Sequence, residues 1–134
     1  MEEFGLGNME IIKALSPFPG FGSTGRICGG VTGGLIALGL YFGSEDMQNY
    51  EGTGATMTAA REFLPRFEEK LGSLLCAEIQ EWVFGRFMDP RASQENLEAF
   101  IKAKGYEKCT LPAGIGARLA AEIIIESMEK NKQT

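Results

Sequence analysis

Three cysteines are the residues of this chain best suited to chemistry, and they are spread widely along it. Cys28, Cys76 and Cys109 are separated by 48 and 33 residues, so they form no C-x-x-C motif. Thiolates are good nucleophiles and good ligands for soft metals. The chain contains no histidine, which excludes Cys-His and Ser-His nucleophile pairs, His-bound zinc and His-bound haem. Nothing else in the sequence is assigned a catalytic role.

All three cysteines are predicted to lie at the start of a helix. Cys28 lies in the first turn of a helix predicted over about 26–42, and Cys76 in that of a helix capped by Ser73. Cys109 immediately precedes the last helix. Free N–H groups and the positive dipole end favour an anion at such positions, so we expect lowered thiol pKa values and good metal ligands. The alternative is that each cysteine is a small buried hydrophobic residue.

The residues around Cys28 are unusually rich in glycine. Residues 18–34, FPGFGSTGRICGGVTGG, contain a G-x-G-x-x-G match, but a helix and two prolines precede it where a dinucleotide site needs a strand. Glycines four residues apart instead lie on one helix face, where they let another backbone approach closely. Each glycine costs a helix about 1 kcal/mol relative to alanine. Tertiary contacts, another subunit or a cofactor must therefore hold this helix.

Helical periodicity predicts an all-α protein, a compact bundle of five to six helices around the glycine-rich helix. The predicted helices are MEIIKALS after the cap Asn8, about 26–42, 59–71 after the cap Thr58, 73–87, ENLEAFIKAK after the cap Ser93, and about 111–130 after the cap Thr110. Residues 44–58 are polar and rich in Gly and Thr, so we predict a mobile connection there. We expect Pro65 to disturb the first turns of its helix and Gly105 to end the helix after Ser93.

The composition is that of one ordinary globular domain over residues 1–134. The net charge of −5, without a cluster of Lys and Arg, argues against a nucleic-acid partner. The longest apolar run, Ile27–Phe42, covers 16 residues, fewer than the roughly 20 that span a bilayer, and predicts a buried helix and no membrane partner. Three cysteines without a signal peptide predict unpaired thiols in the cytoplasm.

The segment CGGVTGGLIALGLYFG, which opens with Cys28, resembles the signature of the C_GCAxxG_C_C family of small redox-active proteins. The similarity continues through FEEKLGSLLCAEI around Cys76 and KCTLPAGIGARLAAEII around Cys109, and it covers nearly the whole chain. The resemblance implies redox work through cysteines that ligate an iron–sulfur cluster. The family's first cysteine is absent, as in an N-terminally shortened member. The C-x-x-C-H haem motif of the related domain in split-Soret cytochrome c is absent too.

These features predict an electron carrier or accessory redox protein rather than an enzyme. The predicted ligands of an iron–sulfur cluster or another metal, without haem, are Cys28, Cys76 and Cys109. Three glycines are predicted to let the backbone approach the cofactor: Gly29, Gly30 and Gly33. A fourth ligand would be a carboxylate, a backbone group, an exogenous thiol or a residue of another chain.

The expected partners are a redox protein and a second copy of the chain. The stretch Ala120–Ile125 is apolar more widely than one buried face requires, which favours a homo-oligomer, most simply a dimer. Two other functions remain open at this point. One is a non-catalytic interaction subunit that has lost its cofactor, and the other is a thiol–disulfide redox protein.

Overall fold

The computed structural model describes residues 2–134 of the chain, and Met1, where the predicted domain begins, lies outside them. A 3-10 turn at Glu2–Phe4 is followed by the helices α1 (Met9–Leu15), α2 (Gly20–Ser23), α3 (Gly29–Phe42), α4 (Tyr50–Leu71), α5 (Cys76–Phe84), α6 (Gln94–Lys102), α7 (Gly105–Lys108) and α8 (Thr110–Lys132). Between residues 2 and 134 there is no β-strand, and one isolated antiparallel bridge joins Ile27 to Leu75. The all-α prediction is confirmed.

Helices α3, α4 and α8 pack against one another and form the centre of the bundle. Their largest fully buried side chains are Val31, Leu38, Phe63, Phe67 and Ile124. Helix α3 carries no charged residue and contacts both of the other two helices, so the predicted glycine-rich central helix is confirmed. No helix within the described part of the chain is long and apolar enough to cross a membrane.

Glycines bring α3 and α8 into backbone contact. A Cβ placed on Gly30 would overlap the carbonyl oxygen of Pro112, and one on Gly116 would overlap the carbonyl oxygen of Gly30. A Cβ on Gly34 would overlap the ring of Phe63 on α4. This row of glycines therefore serves helix packing, as the four-residue spacing indicates.

Helix α4 begins at Tyr50, so the predicted connection over 44–58 is wrong from that residue onward. The cap is Asn49, whose side chain accepts a hydrogen bond of 3.1 Å from the N–H of Gly52, and not Thr58. Pro65 accordingly lies well inside α4 and not in its first turns.

The predicted caps of α1 and α6 are confirmed. Asn8 accepts hydrogen bonds from the first turn of α1, and Ser93 accepts one of 3.1 Å from the N–H of Asn96. The predicted end of α6 is wrong, because the left-handed residue is Lys104 with φ 57° rather than Gly105. Gly105 instead begins α7, where a Cβ would overlap the ring of Phe100.

Candidate functional site

Cys28 and Cys76 lie on two chain segments that run antiparallel beside each other. The bridge between Ile27 and Leu75 is flanked by backbone hydrogen bonds of 2.9 and 2.6 Å, donated by the N–H groups of Cys28 and Cys76. Alternate residues of extended segments point to the same side. The two cysteines are therefore diagonal neighbours on one side of the pair, a relation that places residues about 7–8 Å apart.

Cys109, from the C-terminal half of the chain, lies near Cys76 and Cys28. It lies at the start of α8, just as Cys28 and Cys76 lie at the starts of α3 and α5, so the predicted helix-start positions are confirmed. Cys76 and Cys109 both line a pocket of about 460 Å³. Cys28 is buried, with 6% of its surface exposed, and all three thiols are free.

One wall of this pocket is a turn of positive φ that the sequence analysis did not predict. Gly20, Phe21, Gly22 and Ser23 have φ values between 51° and 73°, and such a conformation costs a residue with a side chain roughly 1–2 kcal/mol. A Cβ on Gly20 would lie 3.2 Å from the Sγ atom of Cys76. Glycine at position 20 therefore leaves room for this thiol.

The three glycines predicted to approach a cofactor have different surroundings. A Cβ on Gly29 would lie 3.3 Å from Pro19, and Gly30 faces Pro112 of α8. Within the described residues, nothing lies less than 4 Å from a Cβ built on Gly33. The glycine that the structure places against a cysteine thiol is Gly20, and the role of the other three toward a cofactor stays a prediction.

Gln80 is a second residue at the site that the sequence analysis did not single out. Its side chain is buried, with 5% of the residue exposed. The Nε2 group donates a hydrogen bond of 3.5 Å to the Sγ atom of Cys76, and Oε1 accepts one of 2.9 Å from the N–H of Met88. The available signal was the spacing, since residues four apart lie on one helix face.

Burial raises the pKa of all three thiols above the usual 9.0, and that of Cys109 to about 11. The N–H groups of Gly30 and Val31 act in the opposite direction on the pKa of Cys28, but loss of solvation outweighs them. The expectation of lowered thiol pKa values is therefore wrong for the metal-free protein. Because metals bind thiolates, a metal bound by these cysteines would displace their protons.

The three cysteines do not form a site for a single metal ion as they are placed. Within residues 2–134, no three His, Cys, Asp or Glu side chains are placed to hold one metal ion. A single zinc ion needs every sulfur at about 2.3 Å from it. An iron–sulfur cluster takes its thiolates on several iron atoms, usually four thiolates in all. The residues that would hold three corners of such a cluster are Cys76 and Cys109, which line the pocket, and the buried Cys28.

The structure defines a small helical protein with three free thiols at helix N-termini. The chain belongs to the C_GCAxxG_C_C family, because the model of that family, described as "Putative redox-active protein (C_GCAxxG_C_C)", matches residues 1–123. No match was found among curated proteins or among solved structures. Membership confirms the family suggested by the sequence around the cysteines and supports a redox role.

Proposed function

We propose that this protein transfers electrons through an iron–sulfur cluster held by Cys28, Cys76 and Cys109. One observation carries the proposal: the fold brings cysteines from three distant parts of the sequence to the starts of three helices, with Cys76 and Cys109 lining one pocket and Cys28 buried on the segment paired with that of Cys76. The description of the family supports redox activity in general, and the cluster is the more specific part of the proposal.

The residues of the chain have distinct roles at this site. The three thiolates would hold the cluster; the N–H groups of Gly30 and Val31 at the start of α3 stabilise negative charge on the Cys28 sulfur, and the Gln80 side chain does so for Cys76. Gly20 keeps the space beside Cys76 free of a side chain. When bound, the cluster supplies one-electron transfer at a potential set by charge, hydrogen bonds to sulfur and exposure.

The pocket gives the site an open side. Beside the two thiols, it is lined by the polar side chains of Ser16, Ser23, Gln80, Arg91 and Tyr106. An exogenous thiol or a residue of a partner can enter there as the fourth ligand. A redox protein docking at this opening, a dimeric state and a cytoplasmic location complete the proposal.

The first experiment is purification without oxygen, followed by a visible spectrum and an assay of iron and acid-labile sulfide per chain. We expect a brown protein with stoichiometric iron and sulfide. Cys28→Ser, Cys76→Ser and Cys109→Ser should each lower the iron content. Ser16→Ala is the matched control, because it changes the pocket lining without removing a thiol. A colourless, iron-free protein that tolerates all three serine substitutions would favour an interaction subunit instead.

Thiol–disulfide chemistry is a second candidate, favoured by the position of Cys28 and Cys76 across the antiparallel bridge. Oxidised glutathione would accept two electrons: one Cys28–Cys76 disulfide forms, and two glutathione thiols leave with the two protons. A disulfide requires Cα atoms about 4.4–6.8 Å apart, slightly closer than diagonal neighbours, so the two segments must move together. Oxidation should remove two titratable thiols in the wild type and in Cys109→Ser, and an unchanged thiol count would exclude this chemistry.

A further inference from the structure

Gln80 connects the thiol of Cys76 to a chain segment that borders the pocket. Cys76 and Gln80 lie one turn apart on α5, and Met88 lies beyond the end of that helix. Pro90 and Arg91 follow Met88 and line the pocket. Gln80 thus makes one hydrogen bond to the site and one to the backbone of residues 85–93, which join α5 to α6.

The orientation of the Gln80 amide follows from the hydrogen bonds themselves. The backbone N–H of Met88 can only donate, so Oε1 must face it at 2.9 Å. The Nε2 group must then face the Sγ atom of Cys76, which is a hydrogen-bond acceptor. Gln80 and Met88 are both 5% exposed, and a buried polar group left unpaired is costly.

We propose that Gln80 is a positioning residue that orients the Cys76 sulfur and transmits its chemical state to residues 85–93. The inference rests on the proposed role of Cys76 as a thiol of the redox site. An N–H donated to sulfur is stronger when the sulfur carries negative charge. Because one buried amide makes both bonds, a change of bonding at the Cys76 sulfur changes how firmly Gln80 is held, and with it the hydrogen bond to Met88.

The test is a double-mutant cycle on the metal-free protein, with hydrogen exchange of the Met88 amide as the readout. Gln80→Met keeps a similar length without either hydrogen bond and should accelerate exchange at least about tenfold. Cys76→Ala leaves Gln80 in place and should accelerate it about threefold, because Gln80 has lost one of its two partners. In the double variant Cys76→Ala should add nothing further, since the connection is already broken.

Gln94→Met is the matched control. Gln94 also makes a helical hydrogen bond to a residue four positions away, Glu98, at 3.0 Å, but it lies on α6 and does not line the pocket. This variant should leave Met88 exchange unchanged. If Gln80→Met fails to fold, the Cys76→Ala variant still decides, because unchanged Met88 exchange in that variant would overturn the inference.

The iron-loaded protein gives a second readout. Loss of the N–H bond to sulfur should lower the reduction potential in Gln80→Met but not in Gln94→Met, because that bond stabilises the more negative, reduced state. Additive effects in the exchange cycle, or an unchanged potential in Gln80→Met, would overturn the inference. If the wild type binds no iron, the proposed function fails, and the exchange cycle alone decides the inference.

Discussion

The Cys109 thiol shows how burial controls the chemistry of a single residue. Its pKa is raised from 9.0 to about 11, first by loss of solvation and then by the neighbouring thiols Cys76 and Cys28. The folded state therefore holds this proton more tightly than the unfolded state. The resulting stabilisation is fully present below about pH 9 and is lost as the pH rises through about 11.

This shift predicts a pH dependence of stability. We expect the free energy of unfolding to fall more steeply between about pH 9 and about pH 11 in the wild type than in Cys109→Ala. Urea denaturation at several pH values measures both slopes. The two proteins share every other ionisable group, so the difference between the slopes reports on Cys109. Equal slopes would contradict the raised pKa.

Alanine variants of Gly20 and Gly5 can distinguish the need for space beside the Cys76 thiol from the cost of a positive φ. Their φ values are 60° and 64°, but only Gly20 has the Cys76 thiol beside the position of a Cβ. Replacing either with alanine should cost about 1–2 kcal/mol of conformational energy. We expect Gly20→Ala to lower the iron content as well, while Gly5→Ala retains it. Urea denaturation and an iron assay on both variants make the comparison.

At the scale of the elements, the glycines of α3 differ in what they face. Gly30→Ala should destabilise the protein by roughly 1–3 kcal/mol, because its Cβ would overlap the backbone of α8. Gly33→Ala should be neutral or stabilising by up to about 1 kcal/mol, because its Cβ meets open space and alanine favours the helix. Thermal unfolding of the two variants tests this, and equal effects would refute the packing role of Gly30.

The start of α4 at Tyr50 is a feature of the fold that the sequence did not predict. Glycine and threonine are typical of loops, and they led to the predicted connection over 44–58. In the structure the hydroxyls of Thr53, Thr56 and Thr58 donate to carbonyl groups one turn earlier in the same helix. Such bonds satisfy the hydroxyls without breaking the helix, and the cap Asn49 fixes where it begins. Helical periodicity alone did not contain this information.

The candidate site, like the fold, could be predicted from the sequence only in part. Apolar periodicity placed the three cysteines close to helix starts because that signal is local, but the predicted caps Ser73 and Thr110 are wrong, since the residues that precede α5 and α8 are Leu75 and Cys109. The contact of Gly20 with Cys76 and the hydrogen bonds of Gln80 join residues through the tertiary fold, and spacing along the chain does not reveal them. The sign of the thiol pKa shifts was missed for the same reason, since it depends on burial by distant segments.

At the scale of the whole molecule, the main core lies among α3, α4 and α8. Cys28 belongs to that core, but the largest side chains of the core, such as Phe63 and Phe67, come from α4, which carries no cysteine. We therefore expect the protein to stay folded without a metal, unlike small domains whose folding depends on one. Circular dichroism before and after chelation should show unchanged helix content, with a lower melting temperature because bound ligand stabilises the folded state. Loss of helix on chelation would contradict this.

The crossing of α3 and α8 also limits how the sequence can vary. The space that a side chain at Gly116 would need is filled by the backbone of Gly30, and the space at Gly30 is filled by that of Pro112. Because backbone atoms cannot be exchanged for smaller ones, no second substitution on the facing helix can compensate for a side chain at either glycine. Positions 30 and 116 must therefore stay glycine as the rest of the sequence varies, because a larger residue at either position would require the two helices to separate.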